Sequence, residues 1–499
     1  MRAQLRQLSG DTAIYGVSTI VQRFLSFLLT PFYTHFLLPR ELGIQVDLFV
    51  LIAFFLIVAN AGMESAFFKY DSVAESEEQR RRVLWNAVGV NWGVALLLGI
   101  LLVAVPDLLR FSGLSRVPEE YDHLIRAAGV ILALDSMAMV PLALLRMRRR
   151  AMKFGVIKIA AITVNVLANI LFVGFMDMKL DGIFLAGVVQ SVVQLALLLP
   201  FLRLMRPIRF DPALRRMMLL FGVPTIGSGL SMMALQLVDR IIIERLLGFD
   251  SLGLYQANYR LGIVMVVFVS VFEFAWRPFF LQQAAQENAR ELFSRVFTYF
   301  NLIGGAILLL VAFFIPNIAA IPIPFTDGAH FIRDIFWSGL SIVPIVLGAY
   351  LFNGWYTNFI AGIYIEKKTS ALLWLTGLGV LVEIVLCLLL LPILGIAGGA
   401  WATLAAYLTM SIALYFYVRR YYPVDYEWKR VGVIIGVIAL LLGANFLLLD
   451  YRDLSFSTGM IRLALLACYP ALLWLAGFFS GGELDRIRAF LRTFIRRGG

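Results

Sequence analysis

The sequence predicts an all-α membrane protein of fourteen transmembrane helices, with two pseudo-symmetric six-helix lobes around a central cavity plus two C-terminal helices. Of the 499 residues, 61% are hydrophobic and only 15% are charged, which is more apolar surface than a soluble domain can bury. The apolar residues form blocks of about 20, the length at which an α-helix crosses a hydrocarbon core of about 30 Å. These blocks are continuous, without the period-two alternation of a membrane β-barrel.

The positions of the apolar blocks predict the individual spans. In chain order they are 11–37, 43–68, 84–105, 125–146, 155–176, 182–202, 217–244, 252–276, 296–315, 335–357, 370–391, 395–418, 431–449 and 461–480. Most of the 43 Lys and Arg residues fall in the segments on one side of these spans. Basic residues concentrate on the cytoplasmic side of membrane proteins, so both termini are expected in the cytoplasm. The net charge of +11 is therefore a topology signal, and no nucleic acid partner is expected.

The chain contains two degenerate copies of one unit. The matched segments, 206 to 210 residues apart, are YGVSTI at 15–20 with FGVPTI at 221–226, LG at 42–43 with LG at 252–253, and ESAF at 64–67 with EFAW at 273–276. We therefore predict an N-terminal lobe over 1–205 and a C-terminal lobe over 206–420. Residues 421–499 would add two further transmembrane helices and a basic amphipathic cytoplasmic tail. Six spans per copy give both copies the same orientation, related by an axis along the membrane normal.

Several ionisable side chains lie inside the apolar runs, where a bilayer penalises them. Arg23 lies near the middle of the first span, and we favour a role facing a cavity over a structural ion pair. Glu383, in span eleven, is the deepest carboxylate of the second half. Protonation would relieve its burial, so it is a candidate proton site, although a buried structural role fits equally well. Asp135 in span four is a second candidate for ion coupling.

Charged pairs recur at matched inner ends of the two copies. Glu64 is followed by Lys69, and its counterpart Glu273 is followed by Arg277. A snorkelling carboxylate paired locally with Lys69 is one interpretation of Glu64. Because the second copy repeats the pattern, we favour a gate in which these carboxylates pair with Lys69, Arg277 or the basic inner loops when the inner mouth closes.

Polar residues also cluster near the outer ends of spans seven and eight. Span seven ends with Asp239-Arg240 and then Glu244-Arg245, which we interpret as a ladder of opposite charges with functional and structural roles equally open. The outer turns of span eight carry Gln256, Asn258, Tyr259 and Arg260.

Neither a metal site nor catalysis is expected. The three histidines lie far apart and form no ligand cluster, so no metal and no other cofactor is predicted. A membrane enzyme would be expected to have a large outer loop with clustered polar catalytic residues. The longest outer segments, 106–124 and 316–334, are too short and carry no such cluster, which favours a non-enzyme.

Motifs along the whole chain resemble those of a known family. They are DTxxYG at 11–16, TPxY at 30–33, LPxELG at 38–43, GMESAFFK at 62–69, and DR at 239–240 ahead of LGxY at 252–255. In their order and spacing they resemble the polysaccharide transporter (Wzx-type) branch of the multidrug/oligosaccharidyl-lipid/polysaccharide exporter superfamily. The predicted number of fourteen spans also resembles that of this branch and of the lipid II flippases, whereas drug-exporting relatives usually have twelve.

The resemblance implies a function. It implies a flippase that moves an undecaprenyl-diphosphate-linked oligosaccharide from the inner to the outer leaflet of the bacterial cytoplasmic (inner) membrane by alternating access. The product would feed lipopolysaccharide, capsule or exopolysaccharide export, with the polysaccharide polymerase machinery as a partner. A lipid II flippase is an alternative, and so is a cation-driven small-molecule exporter, which the span count and the positive cavity charge disfavour.

The same resemblance suggests roles for the residues singled out above. Arg23 and Arg260, with Arg240 less strongly, would attract the diphosphate. Sugar hydroxyls would suit the side chains of Tyr255, Gln256, Asn258 and Tyr259. Return of the empty carrier would be coupled to a proton or sodium gradient, for which Glu383 and Asp135 are the candidates.

Overall fold

The structure is a computed structural model that describes residues 2–205, 207, 209–322 and 329–479. The basic tail predicted over 482–499 lies outside these described residues. Within them the chain is α-helical, and the one strand-like pairing is an isolated bridge between Pro322 and His330.

Sixteen α-helices follow one another along the described chain. They are α1 Arg2–Phe36, α2 Pro39–Asn60, α3 Met63–Ser72, α4 Glu77–Ala104, α5 Asp107–Phe111, α6 Asp122–Met147, α7 Ala151–Asn169, α8 Lys179–Arg203, α9 Pro212–Tyr259, α10 Ile263–Gln283, α11 Ala289–Ala319, α12 Val343–Ile365, α13 Ala371–Leu394, α14 Ile396–Arg419, α15 Trp428–Leu448 and α16 Phe456–Leu475. Four short pieces complete them: the 3-10 segments Glu119–Tyr121, Arg260–Gly262 and Asp334–Ile342, and the π-helical segment Ile170–Phe175.

The predicted fold class is confirmed, and each predicted span has a helical counterpart. Span two is divided between α2 and α3, and α5 is a short extra helix outside the predicted spans. Twelve helical stretches of the described residues are long and apolar enough to cross a membrane. One of them, Pro212–Gln283, contains both span seven and span eight, whereas α1 is not among the twelve.

The longest helix, α9, is two arms joined at Gly248. This residue has φ 83° and ψ 178°, a left-handed extended conformation that glycine adopts readily. Across the bend Tyr255 donates a hydrogen bond to Asp239 at 2.7 Å, and Arg240 donates one to Gln256 at 3.1 Å. Side chains sixteen residues apart can meet in this way only if the chain reverses, so Gly248 separates spans seven and eight.

The helices associate in two groups. Helices α1, α2, α4, α6, α7 and α8 pack against one another in the first half, and α9 to α14 do so in the second. The predicted lobe boundaries, 205/206 and 420/421, fall between α8 and α9 and between α14 and α15. The last two helices, α15 and α16, pack on α11, where Arg462 donates a hydrogen bond to Asn317 at 2.8 Å.

The two halves meet through α2 and the second arm of α9. A Cβ atom on Gly43 would lie 1.9 Å from the carbonyl oxygen of Phe249, and one on Gly253 would lie 1.9 Å from that of Pro39. Residues 43 and 253, like 39 and 249, are matched positions of the two copies, so the contact is reciprocal. Backbones this close exclude any side chain larger than hydrogen. We call this the glycine crossing, and its end of the bundle the outer end.

The halves also touch at the opposite, inner end, where the predicted cytoplasmic loops lie. Gly62 breaks span two between α2 and α3 with φ 67°, and a Cβ atom on it would lie 2.0 Å from the carbonyl oxygen of Gly222 in α9. The second seam between the halves at this end lies between α1 and α10, where a Cβ atom on Gly16 would lie 2.7 Å from the ring of Phe274. Gly16 and Gly222 are matched positions, so the repeat sets the contacts at this end too.

We expect Gly43→Ala to separate the outer ends of the two halves. The added methyl group would overlap the backbone of Phe249, which side-chain rotation cannot relieve. Overpacking of this kind costs about 1–3 kcal/mol. Spin labels at the outer ends of α2 and α9 should therefore report longer distances in the variant than in the native protein.

Gly93→Ala in α4 is the matched control, because a Cβ atom there has nothing within 4 Å. Equal label distances in Gly43→Ala and Gly93→Ala would contradict a rigid glycine crossing.

Candidate functional site

A cavity of about 500 Å³ between the two halves brings three arginines together. It is bounded by α1, both arms of α9, the Arg260–Gly262 segment, α10 and α12. Its lining consists of Thr19, Gln22, Arg23, Ser26, Phe27, Arg240, Gln256, Tyr259, Arg260, Ile263, Val266 and Tyr350. We call it the arginine cavity. The three cations come from positions up to 237 residues apart in the sequence, so the fold alone assembles them.

Two of these arginines have no carboxylate partner in the part of the chain that the structure describes. Arg23 is exposed to the cavity and donates a hydrogen bond to the hydroxyl of Ser270 in α10, across the two halves. Arg260 is half-buried and lies 3.4 Å from the hydroxyl of Thr30. Among the described residues neither guanidinium forms a salt bridge, so both present positive charge to the cavity.

The third guanidinium is largely neutralised. Arg240 is only 5% exposed and forms an ion pair with Asp239 at 2.7 Å. It also donates to the backbone carbonyl of Gln236 at 2.6 Å and lies 4.3 Å from the centroid of the Tyr259 ring. Its charge is thus shared among protein groups, and it is a weaker anion ligand than Arg23 or Arg260.

The polar residues predicted on span eight divide between two faces of the helix. Gln256, Tyr259 and Arg260 line the arginine cavity, since residues three or four apart share a helix face. Tyr255 and Asn258 do not line it, and their contact with substrate stays a prediction. Both are fully buried: Tyr255 donates to Asp239, and Asn258 donates to the backbone carbonyls of Leu254 and Phe336.

The predicted ladder of charges at the end of span seven does not form. The ion pair there joins the sequence neighbours Asp239 and Arg240. Arg245 instead donates a hydrogen bond to the backbone carbonyl of Gly113 in the first half, near the outer end. The cause is the fold of α9, which places Gln256 beside Arg240 in the position that Glu244 was expected to take.

A second cavity of about 800 Å³ adjoins the first and lies mostly in the second half. Its lining consists of Arg23, Ser228, Met232, Gln236, Val266, Val269, Ser270, Glu273, Arg277, Tyr350, Asn353, Tyr356, Thr357, Ile360, Tyr364, Thr369, Ser370, Leu372, Leu373, Trp374, Thr376 and Tyr407. It reaches the exposed inner loop at Thr369 and Ser370, and we call it the inner chamber. Sequence reasoning missed its tyrosines, because α12 contains no charged residue to mark it as functional.

The two matched glutamates form ion pairs within their own halves. Glu64 pairs with Arg146 on α6, not with Lys69 as the local interpretation expected. The ammonium of Lys69 instead lies 3.8 Å from the centroid of the Phe221 ring in α9. Helix α3 is separated from α2 by the break at Gly62, which turns Glu64 toward α6 and Lys69 toward α9.

In the second half, Glu273 pairs with Arg277 at 2.7 Å, one helical turn away, at the wall of the inner chamber. Neither ion pair crosses between the halves. The cross-half contacts at Gly62 and at Phe274 lie within two residues of these glutamates. A gating role for both stays a prediction.

The two candidates for ion coupling lie in separate helix bundles. Glu383 on α13 is fully buried, and one of its oxygens accepts a hydrogen bond from Thr403 at 3.0 Å. Its other oxygen has no hydrogen-bond partner among the described residues, and the charge of Asp239 acts on it.

Asp135 accepts a hydrogen bond from Ser191 at 2.7 Å, and Lys158 of α7 provides an opposite charge nearby. Sequence reasoning missed Lys158, which lies within span five and donates to Gln194 at 3.4 Å. Neither Asp135 nor Glu383 lines the two cavities. Their role in ion coupling stays a prediction.

Comparison with known proteins identifies a family and several similar folds. A family model described as polysaccharide biosynthesis protein matches residues 8–284. A search of curated proteins found no match.

Among solved structures, the chain is similar to the lipid II flippase MurJ in an inward closed conformation, with a TM-score of 0.71, 14% identity and coverage of 93% of this chain and 99% of that one. It is also similar to a multidrug resistance MATE family transporter of the MOP superfamily in an inward-facing conformation, with a TM-score of 0.62, 15% identity and coverage of 85% and 99%. At such identities the likeness concerns the fold alone.

We expect Asp239→Asn to destabilise the protein strongly. The substitution leaves the guanidinium of Arg240 buried with no counter-ion, and removal of one partner from a buried pair costs about 3–5 kcal/mol. Thermal unfolding in detergent should therefore begin at a clearly lower temperature.

Glu273→Gln is the matched control, because it breaks a pair whose side chains are 53% and 41% exposed, where the cost is about 0.3–0.5 kcal/mol. Equal shifts in the two variants would show that Asp239 does not hold Arg240.

Proposed function

Since the chain belongs to the polysaccharide biosynthesis protein family, we propose that it flips an undecaprenyl-diphosphate-linked oligosaccharide from the inner to the outer leaflet for export of cell-surface polysaccharide. The observation that carries the proposal is the arginine cavity, which presents the charges of Arg23 and Arg260 between the two halves. The activity is transport by alternating access, not bond chemistry, and the chain is a multi-pass membrane protein.

The charge of the cavity matches a diphosphate. A positively charged side chain inside a membrane protein is costly unless protein, water or a ligand surrounds it. Arg23 and Arg260 are held by hydroxyl groups alone among the described residues, which leaves donors free for an anion. Guanidinium groups bind phosphate oxygens through two parallel hydrogen bonds, stronger than those between neutral groups.

A polyprenyl tail has a place to remain while the head group is bound. Phe24 and Leu28 on α1, which follow Arg23, are 54% and 43% exposed, and Val264 on α10 is 45% exposed. Each of them directly follows in the sequence a residue that lines the arginine cavity, namely Arg23, Phe27 and Ile263. A lipid chain lying along the seam of α1 and α10 would stay in hydrocarbon while its diphosphate reaches the arginines.

The arrangement of the two ends supports loading from the inner leaflet. The inner chamber reaches the inner loop at Thr369 and Ser370. The halves themselves touch at both ends, through the contacts of Gly62 and Gly16 at the inner end and through the glycine crossing at the outer end. Release outward would require the glycine crossing to separate. We place the protein in the bacterial cytoplasmic membrane with both termini in the cytoplasm. The polysaccharide polymerase machinery would consume the flipped product.

Two alternatives of the same fold remain as competing hypotheses. A lipid II flippase would carry a diphosphate too, so the arginine cavity favours neither it nor an oligosaccharide flippase. A cation-driven small-molecule exporter is disfavoured, because two unpaired arginines repel cationic compounds.

We expect purified protein in liposomes to accelerate the flipping of a labelled undecaprenyl-diphosphate oligosaccharide, scored as access of the label to an outside enzyme. Arg23→Ala and Arg260→Ala should each slow flipping about tenfold or more, since a hydrogen bond to a charged group contributes about 1.5–3 kcal/mol. Arg295→Ala is the control, because Arg295 is exposed at the start of α11 and pairs with Glu291.

Three outcomes would count against the proposal. No acceleration with several head groups and imposed ion gradients would favour the small-molecule exporter. Acceleration that Arg295→Ala reduces as much as Arg23→Ala would remove the arginine cavity from the path. Acceleration with lipid II but not with other head groups would select the lipid II flippase.

We further propose that Glu383 carries a coupling proton. Glu383 is fully buried, and one of its oxygens has no hydrogen-bond partner among the described residues. An ionised carboxylate in such a site is costly, and binding of a proton would remove that cost.

Flipping by the native protein should then respond to an imposed proton gradient, and flipping by Glu383→Gln should not, because glutamine mimics the protonated form permanently. Asp135→Asn tests whether the other candidate shares this role. A response to sodium alone, or an unaltered proton response in Glu383→Gln, would contradict the assignment.

A further inference from the structure

We propose that the inner chamber is the binding site for the oligosaccharide of the head group, and that it selects short oligosaccharides of uncharged sugars. This inference rests on the proposed function, since it divides the head group between two cavities. The diphosphate would lie in the arginine cavity and the sugars in the inner chamber.

The two cavities adjoin beside the site where the diphosphate would bind. Arg23, Val266 and Tyr350 line both of them. A diphosphate held by Arg23 and Arg260 has its lipid on one side and its first sugar on the other. With the lipid at the seam of α1 and α10, the sugar must leave past Tyr350 into the inner chamber.

The wall of the inner chamber suits sugar rings. Tyr350, Tyr356 and Tyr364 of α12 line it along one side, and Tyr407 of α14 lies beside them, with 6.1 Å between the ring centroids of Tyr350 and Tyr407. A sugar ring has an apolar C–H face that packs on an aromatic ring, and the phenol hydroxyls offer hydrogen bonds at its edge.

Amide side chains line the inner chamber together with these tyrosines. Gln236 of α9 is exposed to the chamber and Asn353 of α12 is partly exposed to it. An amide both donates and accepts, as a sugar hydroxyl does, so a few such groups among aromatic rings can orient a polyhydroxylated ligand.

The charges of the chamber exclude an acidic sugar. Its ionisable lining among the described residues is Arg23, which the diphosphate would use, and the pair Glu273 and Arg277 at 2.7 Å. Among the described lining residues no further cation is free to neutralise a uronic acid, whereas the hydroxyl groups of a neutral sugar need none. Glu273 would in addition repel it.

The size of the chamber limits the length of the ligand. Its volume of about 800 Å³ falls within the ~300–1,000 Å³ typical of small-molecule sites. It therefore fits an oligosaccharide of a few sugars and not a long polymer.

The test measures binding to the purified full-length protein in nanodiscs with three probes. The first is farnesyl diphosphate, the second is farnesyl diphosphate linked to a neutral trisaccharide, and the third is the same conjugate with one uronic acid. Tyr356→Ala and Asn353→Ala alter the inner chamber, and Arg260→Ala alters the arginine cavity. Thermal unfolding verifies that each variant is folded, and Asn353→Ala, the smaller change, serves if Tyr356→Ala is not.

We expect the neutral conjugate to bind about tenfold more tightly than farnesyl diphosphate, and each chamber variant to remove that increment. Binding of farnesyl diphosphate should change less than twofold in the chamber variants and fall about tenfold in Arg260→Ala. The acidic conjugate should bind no more tightly than farnesyl diphosphate.

Each contrary result has a separate meaning. Chamber variants that bind the neutral conjugate like the native protein would overturn the chamber assignment, while loss of farnesyl diphosphate binding in Arg260→Ala would leave the proposed function standing. Acidic and neutral conjugates of equal affinity would overturn the selection for uncharged sugars. Failure of all three probes to bind would overturn the proposed function itself, and the chamber with it.

Discussion

The cost of placing charge in a bilayer governs this structure. An ionised side chain within the hydrocarbon layer is tolerated only where protein, water or a partner surrounds it. Four deep charges among the described residues meet one of these conditions: Arg240 pairs with Asp239, Asp135 has Lys158 nearby, and Arg23 and Arg260 face a cavity between the halves. Because the last two have no carboxylate partner among the described residues, the cavity that hydrates them is also suited to bind an anion. An ionised arginine in a membrane protein must face water, protein or a partner, and the cavity that meets this requirement is also the candidate site.

Internal repetition determines how the two halves can move. Gly43 meets Phe249 as Gly253 meets Pro39, so the glycine crossing is a reciprocal contact formed by backbone atoms alone. Such a contact packs closely without interlocking side chains, and it can separate as a unit when the halves rotate. At the inner end Gly62 and Gly222, together with Gly16 and Phe274, form the corresponding pair of seams. Alternating access needs two such sets of contacts, and duplication of one unit supplies both.

The sequence predicted the fold well, because apolar length is a property of each segment alone. Five of its substrate-binding candidates line one cavity, namely Arg23, Arg240, Gln256, Tyr259 and Arg260. The sequence was less informative where partners depend on packing. Tyr255 and Asn258 lie on the buried face of the same helix, which a count of helical spacing would have separated from Gln256 and Arg260. No local pattern could have placed Glu64 beside Arg146 or opened the inner chamber along the uncharged helix α12, because both depend on where distant helices meet.

The fold and the charges answer different questions about function. Similarity of fold extends to a lipid II flippase and to a multidrug transporter, so the arrangement of helices cannot distinguish an anionic lipid from a cationic drug. The sign of the unpaired charge can distinguish them. Two guanidinium groups without a carboxylate partner among the described residues attract a diphosphate and repel a cation, and both effects are strong in a site of low dielectric. The aromatic and amide wall of the inner chamber then adds a condition that charge alone does not, since a ligand must present sugar-like hydroxyls beyond its anionic group. If the proposed function holds, a small number of side chains on α1, α9, α10 and α12 would determine the substrate class within this fold, and relatives of different specificity should differ at these positions.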